Sequence, residues 1–369
     1  MSFNQYTWDL YKQTTIGIEM IKYFSDAGGY VLFKDYCPYA NFIPEDLYND
    51  WLENIYCYGV SDYDHPSSLE EAKDLYISLI TLGIRVEGQQ WLPANDFKNM
   101  LGIIQPMSYV LSQFAPEYFF PYLFLCRIFE LNKIADFFNI DLPNIPKRTD
   151  YKGRCMYYWE LCEVFYLFRK ENGLSPADLW SFLYDFAPNN LPSEKIDMPK
   201  PSQVWFIGGR LYQGDKSVES KFWQSSPETK KGDILVHYET SPISAITCIE
   251  ISLTDGVIDP LFRYYGCIYI GNRINIPHIT LKELQTDEYF FKHPLVRKNF
   301  QGVNGWSVNS ENYSELLRMI KTKGFDIEVL PKLYAPTLPK DVIIEYEHDV
   351  EQQLLEPLLN SMGWYENKD

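Results

Sequence analysis

Apolar positions in residues 1–188 recur at three- and four-residue spacing, the period of a helix with one buried face. Tyr6 to Phe24 carries such a stripe and stops at Gly28-Gly29, a helix-ending signal. Ser68-Leu69-Glu70-Glu71 has the capping-box pattern and predicts a helix through about Leu82. Asp96 to Gln113, Tyr118 to Phe138 and the aromatic Tyr151 to Lys170 read as further helices. Ser175-Pro176-Ala177-Asp178 opens another, with proline in the first turn where its missing N–H costs nothing. The expectation for residues 1–188 is an all-α domain.

Residues 189–202 are rich in proline and polar side chains and read as a linker. Beyond them the pattern changes. Gln203 to Ile207, Asp233 to Tyr238, Ala245 to Leu253 and Tyr264 to Ile270 are short runs of Ile, Val, Tyr and Cys bounded by Gly and Pro, as strands are. Helical pieces follow at Leu281–Leu284, behind Thr280, and at Ser310–Lys321. Residues 203–330 therefore read as a small α+β domain with a strongly curved sheet, plausible as a barrel. The remainder, 331–369, holds an amphipathic helix from about Tyr346 to Met362, ahead of Gly363-Trp364. The expected fold class is α+β and multidomain: a helical domain, a barrel with flanking helices, and a C-terminal helix.

Charge separates these regions. Residues 1–200 hold 16 Lys and Arg against 27 Asp and Glu, residues 201–330 hold 14 against 15, and residues 331–369 hold 3 against 8. A phosphate backbone would be repelled by the first region, so nucleic-acid contacts are expected only on a local face of the second. The acidic helical domain is left as a scaffold or a surface for a protein partner. Aromatic residues make up 17% of the chain, enough for large cores and against disorder. No apolar run of about 18 residues predicts a membrane span, and Met1 to Leu10 lacks the basic and apolar parts of a secretion signal. The seven cysteines are scattered, with no C-x-x-C, as expected for buried free thiols in a cytoplasmic protein.

Five motifs follow one another in the second region. They are Val204-Trp205-Phe206-Ile207; Gly232-Asp233-Ile234-Leu235-Val236-His237-Tyr238; Asp259-Pro260; Pro277 to Leu284 as Pro-x-x-x-Leu-x-x-Leu; and Trp306-Ser307-Val308 before Glu311-Asn312-Tyr313. In this order they resemble the EVE domain, a PUA-like relative of the YTH family, over residues ~203–323. The resemblance implies a PUA-like barrel that reads a modified nucleobase. The chain departs from the family at Gly208-Gly209-Arg210 and at Trp223-Gln224-Ser225, two places that line the family's ligand pocket. The tail, Glu347 to Glu351 with Leu354 to Leu359, resembles the entry helix of a PD-(D/E)xK restriction nuclease. That implies a modification-dependent defence protein whose catalytic strands would follow Asp369. A second expectation is a PUA-like reader of RNA or tRNA.

Reading an extruded base needs flat apolar walls and a few polar groups at the base edge. The candidate pocket residues are Trp205, Trp223, Tyr238 and Trp306 as walls, with Ser225, Asn304 and Ser307 as polar contacts. Trp205 and Tyr238 lie on expected strands, where an aromatic ring serves equally as core. Candidate phosphate contacts are Arg210, Lys230, Lys231, Arg263, Arg273, Lys292, Arg297 and Lys298. His65, His237, His278, His293 and His348 lie far apart, and no hydrolase, metalloprotease or phosphate-loop pattern is present. His237 reads as an ordinary core or surface histidine. No catalytic residue, metal or cofactor is expected on this chain, and the expected ligand is nucleic acid, DNA before RNA.

Overall fold

The computed structural model describes residues 3–38, 40–192, 198–210, 220–334 and 344–361. The fold is α+β and divides into two compact units. Unit 1 comprises Met1–Glu194 together with Ile258–Tyr265, and unit 2 comprises Lys195–Val257 and Gly266–Asp369. Two expectations shift with this division. The Asp259-Pro260 segment belongs to unit 1, and the described part of the tail groups with unit 2.

Unit 1 is mainly helical, but not wholly so. A short hairpin, β1 (Ile84–Val86) with β2 (Gln89–Leu92), follows the Leu69–Leu82 helix. Gly83 makes the turn at φ +76°, where an added Cβ would lie 2.1 Å from the Leu92 carbonyl oxygen. The stripe Tyr6–Phe24 forms two helices, Gln5–Gln13 and Thr15–Asp26. Thr14 between them is extended, and its side chain caps the second by accepting from Gly17 N–H. The expected Asp96–Gln113 helix likewise divides, into Phe97–Met100 and Ile104–Phe114.

The largest departure is the expected helix Tyr118–Phe138. Only Ile128–Phe138 is helical. Residues 119–124 are non-helical and buried between Pro116 and the later helix, with Pro121 inside the run. Tyrosine hydroxyls take up this buried backbone. Tyr158 donates to the Phe120 carbonyl at 2.8 Å, and Tyr184 donates to Pro121 at 2.5 Å while accepting from Leu123 N–H. Ser108 Oγ accepts from Tyr122 N–H at 2.8 Å. Tyr158 and Tyr184 show what tyrosine does here: the ring fills core volume and the hydroxyl satisfies a peptide group that no helix does. The Tyr151–Glu171 helix, capped by Asp150, supplies Tyr158.

Unit 2 is built on a curled half-barrel sheet. Its strands are β3 (Val204–Gly209), β4 (Ser220–Gln224), β5 (Ile234–Glu239), β6 (Ala245–Ser252), β7 (Val257–Ile258), β8 (Gly266–Thr280) and β9 (Trp306–Val308). Their order is β4-β8-β6-β5-β3-β9, with β7 beside β8. β3 and β5 run parallel, and the other pairings on this path are antiparallel. Strand alternation gives the sheet two faces. Val204, Phe206, Ile234, Val236 and Tyr238 point to a face covered by Leu284, Phe290, Leu295, Phe300, Leu316 and Ile320 from the helical segments. Trp205, Ile207, Leu235, Ile268, Ile270 and Trp223 form a smaller cluster on the second face. The Leu281–Thr286 helix starts at a capping box between Thr280 and Glu283, and Ser310–Thr322 at Asn309. The tail forms a helix over the described residues 347–361, and the end expected at Met362 lies outside them.

Candidate functional site

The second face of the unit 2 sheet carries apolar residues at one end and polar ones at the other. His237 follows Leu235 by two positions on β5 and so shares its face; Cys248 stands opposite His237, and Glu250 opposite Leu235, on β6. All three side chains are buried, Glu250 being 2% exposed and the others 0%. His237 Nδ1 and Glu250 Oε2 are 3.0 Å apart. Arg273 on β8 reaches the other carboxylate oxygen, with Nε donating at 2.7 Å and a second nitrogen at 2.6 Å. One histidine nitrogen, one carboxylate and one guanidinium thus form a chain of side chains across three adjacent strands.

The backbone is irregular just here. The β5–β6 register shifts between His237 and Tyr238, and the β6–β8 register shifts between Ile246 and Cys248 and again between Ile249 and Ile251. Asn272, beside Arg273, has φ +52°. Such bulges bend a strand and re-aim its side chains. They turn the three polar groups toward one another within a face that is otherwise apolar.

Burial pushes the Glu250 carboxyl up, but the His237 hydrogen bond and the Arg273 charge outweigh it and hold the group below the ordinary carboxylate range. As a carboxylate it can only accept, so His237 Nδ1 carries the proton and donates. That leaves His237 Nε2. It is the one buried side-chain polar atom without a partner among the described residues of unit 2. Burial and the Glu250 charge push the neighbouring Cys248 thiol up to about 12. Burial lowers the affinity of Arg273 for its proton, but Glu250 more than restores it.

Trp223 joins this cluster from β4. Its ring meets His237 edge to face, 4.7 Å between centroids. The indole N–H donates to Asn304 Oδ1 at 3.2 Å, and the same oxygen accepts from Gly208 N–H at 2.8 Å. Asn304 Nδ2 donates to Gln224 Oε1 at 3.3 Å. Gly209 is required beneath the ring, because a Cβ there would lie 2.5 Å from a Trp223 ring carbon. The half-buried indole is thereby fixed in position and direction.

Of the seven nominated pocket residues, Trp223 and Asn304 are hydrogen-bonded to each other at this site. Trp205 shares the face, but its indole N–H is committed to Asp233 Oδ2 at 2.9 Å. Tyr238 lies on the helix-covered face, stacked on Phe300 at 4.0 Å between ring centroids. Trp306 packs against that same face. Ser225 is buried and hydrogen-bonded to Thr229, and Ser307 is exposed on β9. The nominated phosphate contacts spread widely. Arg273 is bonded to Glu250, Arg210 donates to the Ser241 carbonyl, and Arg263 lies in the segment belonging to unit 1. Lys292, Arg297 and Lys298 are exposed and close in sequence, whereas Lys230 and Lys231 sit on the turn before β5.

The residues missed at the sequence level are His237, Cys248 and Glu250. Glu250 did carry a signal: a carboxylate in the middle of an Ile-rich strand is rarely buried without a partner.

No family model matches this chain, and no curated protein does. Among solved structures it is similar to Rpa0253 from Rhodopseudomonas palustris, at 14% identity over 32% of this chain and 94% of that one, with a TM-score of 0.29. A hypothetical protein from Leishmania major gives 12% identity over 34% and 98%, with a TM-score of 0.27. Likeness at this level carries no argument about what the chain does.

Proposed function

We propose that unit 2 is an EVE-type, PUA-like reader of a modified nucleobase, and that the base is a modified cytosine in DNA. The observation that supports this reading best is the fixed Trp223–Asn304 pair. A flat base needs a rigid aromatic wall and a polar group at its edge, and an indole tethered through its N–H to an amide supplies both. Extra methyl or hydroxymethyl substituents add dispersion against such a wall. The nearly balanced charge of residues 201–330 fits a local nucleic-acid contact better than the acidic unit 1 does. The tail's resemblance to a restriction-nuclease entry helix favours a role in modification-dependent defence.

The test is binding of the full chain to matched duplexes carrying cytosine, methylcytosine or hydroxymethylcytosine, with single-stranded RNA of the same sequence as a competitor. Tighter binding to one modified duplex supports the reading. Equal binding to all duplexes removes base reading, and preferential competition by RNA removes DNA.

A further inference from the structure

We infer that His237, Cys248 and Glu250 form a binding site for one thiophilic divalent cation, with Zn2+ as the best chemical fit. The inference is independent of the nucleobase reading and rests on geometry alone. Each residue offers one donor atom, and the three donors lie within 4.8 Å of one another, all buried. Ligands around a tetrahedral zinc sit about 3.5 Å apart, given bonds of about 2.0–2.3 Å.

The second observation is the unpartnered histidine nitrogen. The imidazole has one more nitrogen than the protein uses, and that nitrogen is buried. A flip of the ring about Cβ–Cγ carries Nε2 into the place of Cε1, next to the place Nδ1 holds against Glu250, so the ring can offer either nitrogen toward the carboxylate and thiol. An unmet buried polar atom is unfavourable, and a metal bond to that nitrogen removes the penalty.

The donor set also selects the ion. One thiolate, one imidazole and one carboxylate suit Zn2+ or Co2+, whereas Mg2+ and Ca2+ prefer oxygen ligands. Arg273 sharpens the choice. Its guanidinium orients the Glu250 carboxylate from the far oxygen, but its charge opposes any cation that does not gain a strong thiolate bond. Binding releases the Cys248 thiol proton to solvent as the sulfur–metal bond forms. Three protein ligands leave a fourth position for water, the pattern of a site with an open coordination place.

The experiment uses the full chain, stripped with a chelator and titrated with Co2+. The expected result is tetrahedral cobalt absorption with a thiolate-to-cobalt charge-transfer band, saturating at one ion per chain. Zn2+ should displace it; Mg2+ and Ca2+ should not. Cys248→Ala should lose the charge-transfer band, while Cys57→Ala, at an exposed cysteine, should keep it. X-ray absorption of the zinc-loaded native protein gives a readout free of any folding defect in the variants: one sulfur with nitrogen and oxygen ligands is expected. No charge-transfer band, a band that survives in Cys248→Ala, or a zinc shell without sulfur would overturn the assignment and leave the cluster as a hydrogen-bonded ion pair.

Discussion

The two units each hold a cluster of buried charged side chains, and the two clusters are satisfied in different ways. In unit 1 the partners are mainly backbone. Arg154, 1% exposed, donates to the carbonyls of Arg148, Pro260 and Phe262. Asp259 accepts from the N–H groups of Leu261, Phe262 and Cys126. Arg169 donates to the carbonyls of Leu174 and Glu117 and to the Glu117 carboxylate. In unit 2, Asp233 is likewise held by the N–H groups of Lys230 and Gln203, but in one cluster the charges meet each other, side chain to side chain, from His237 through Glu250 to Arg273, and a nitrogen is left over. A charge saturated by peptide groups holds the chain in place. Charges that meet only one another leave room for something the protein does not itself contain.

The largest effect should come from breaking the unit 1 pattern. Arg154→Ala strands the carbonyls of Arg148, Pro260 and Phe262, of which that of Pro260 is buried, and is expected to cost about 1–3 kcal/mol for the buried group with less for each of the others, read as a lowered denaturant midpoint. Binding at the Trp223 site, measured in water, should survive if the comparison is right.

The next effect is a pH dependence. Burial raises the Asp259 carboxyl from 3.8 to about 6, despite three backbone N–H bonds. The folded state therefore holds this proton more tightly than the unfolded chain does. The stabilisation is complete below pH 4 and is lost as pH rises through about 6, a span worth about 3 kcal/mol. Urea unfolding at successive pH values should show this decline, and Asp259→Asn should flatten it.

Much of this contrast lay outside the reach of pattern reading. Helix starts at Ser68 and Ser175 were legible, because a cap and its third-position acid sit within four residues of each other. The strand runs on β3, β5 and β6 were legible from their β-branched and aromatic texture. The buried stretch 119–124 was not, because its hydrogen-bond partners come from Tyr158 and Tyr184, far along the chain. His237 escaped for the same reason: its partner Glu250 lies on the next strand, and the register shifts that bring them together have no sequence signature. Trp223 and Asn304 were named from residue type, but their 3.2 Å contact spans 81 positions.

A smaller effect sharpens the picture at the helix ends. Ser175→Ala removes the capping box of the Pro176–Ser181 helix and should cost about 1 kcal/mol, visible as a modest drop in thermal stability with ligand binding unchanged.

The central claim is that the second face of the unit 2 sheet, and not the helix-covered one, meets the ligand. Trp223 and Trp306 lie on opposite faces, so the pair decides it. The measurement is affinity of the full chain for its preferred modified duplex in Trp223→Ala and Trp306→Ala. The account predicts a loss of about 1–3 kcal/mol for Trp223→Ala, the usual worth of one stacked base, and near-native binding for Trp306→Ala. The reverse order would place the ligand on the other face and contradict the account.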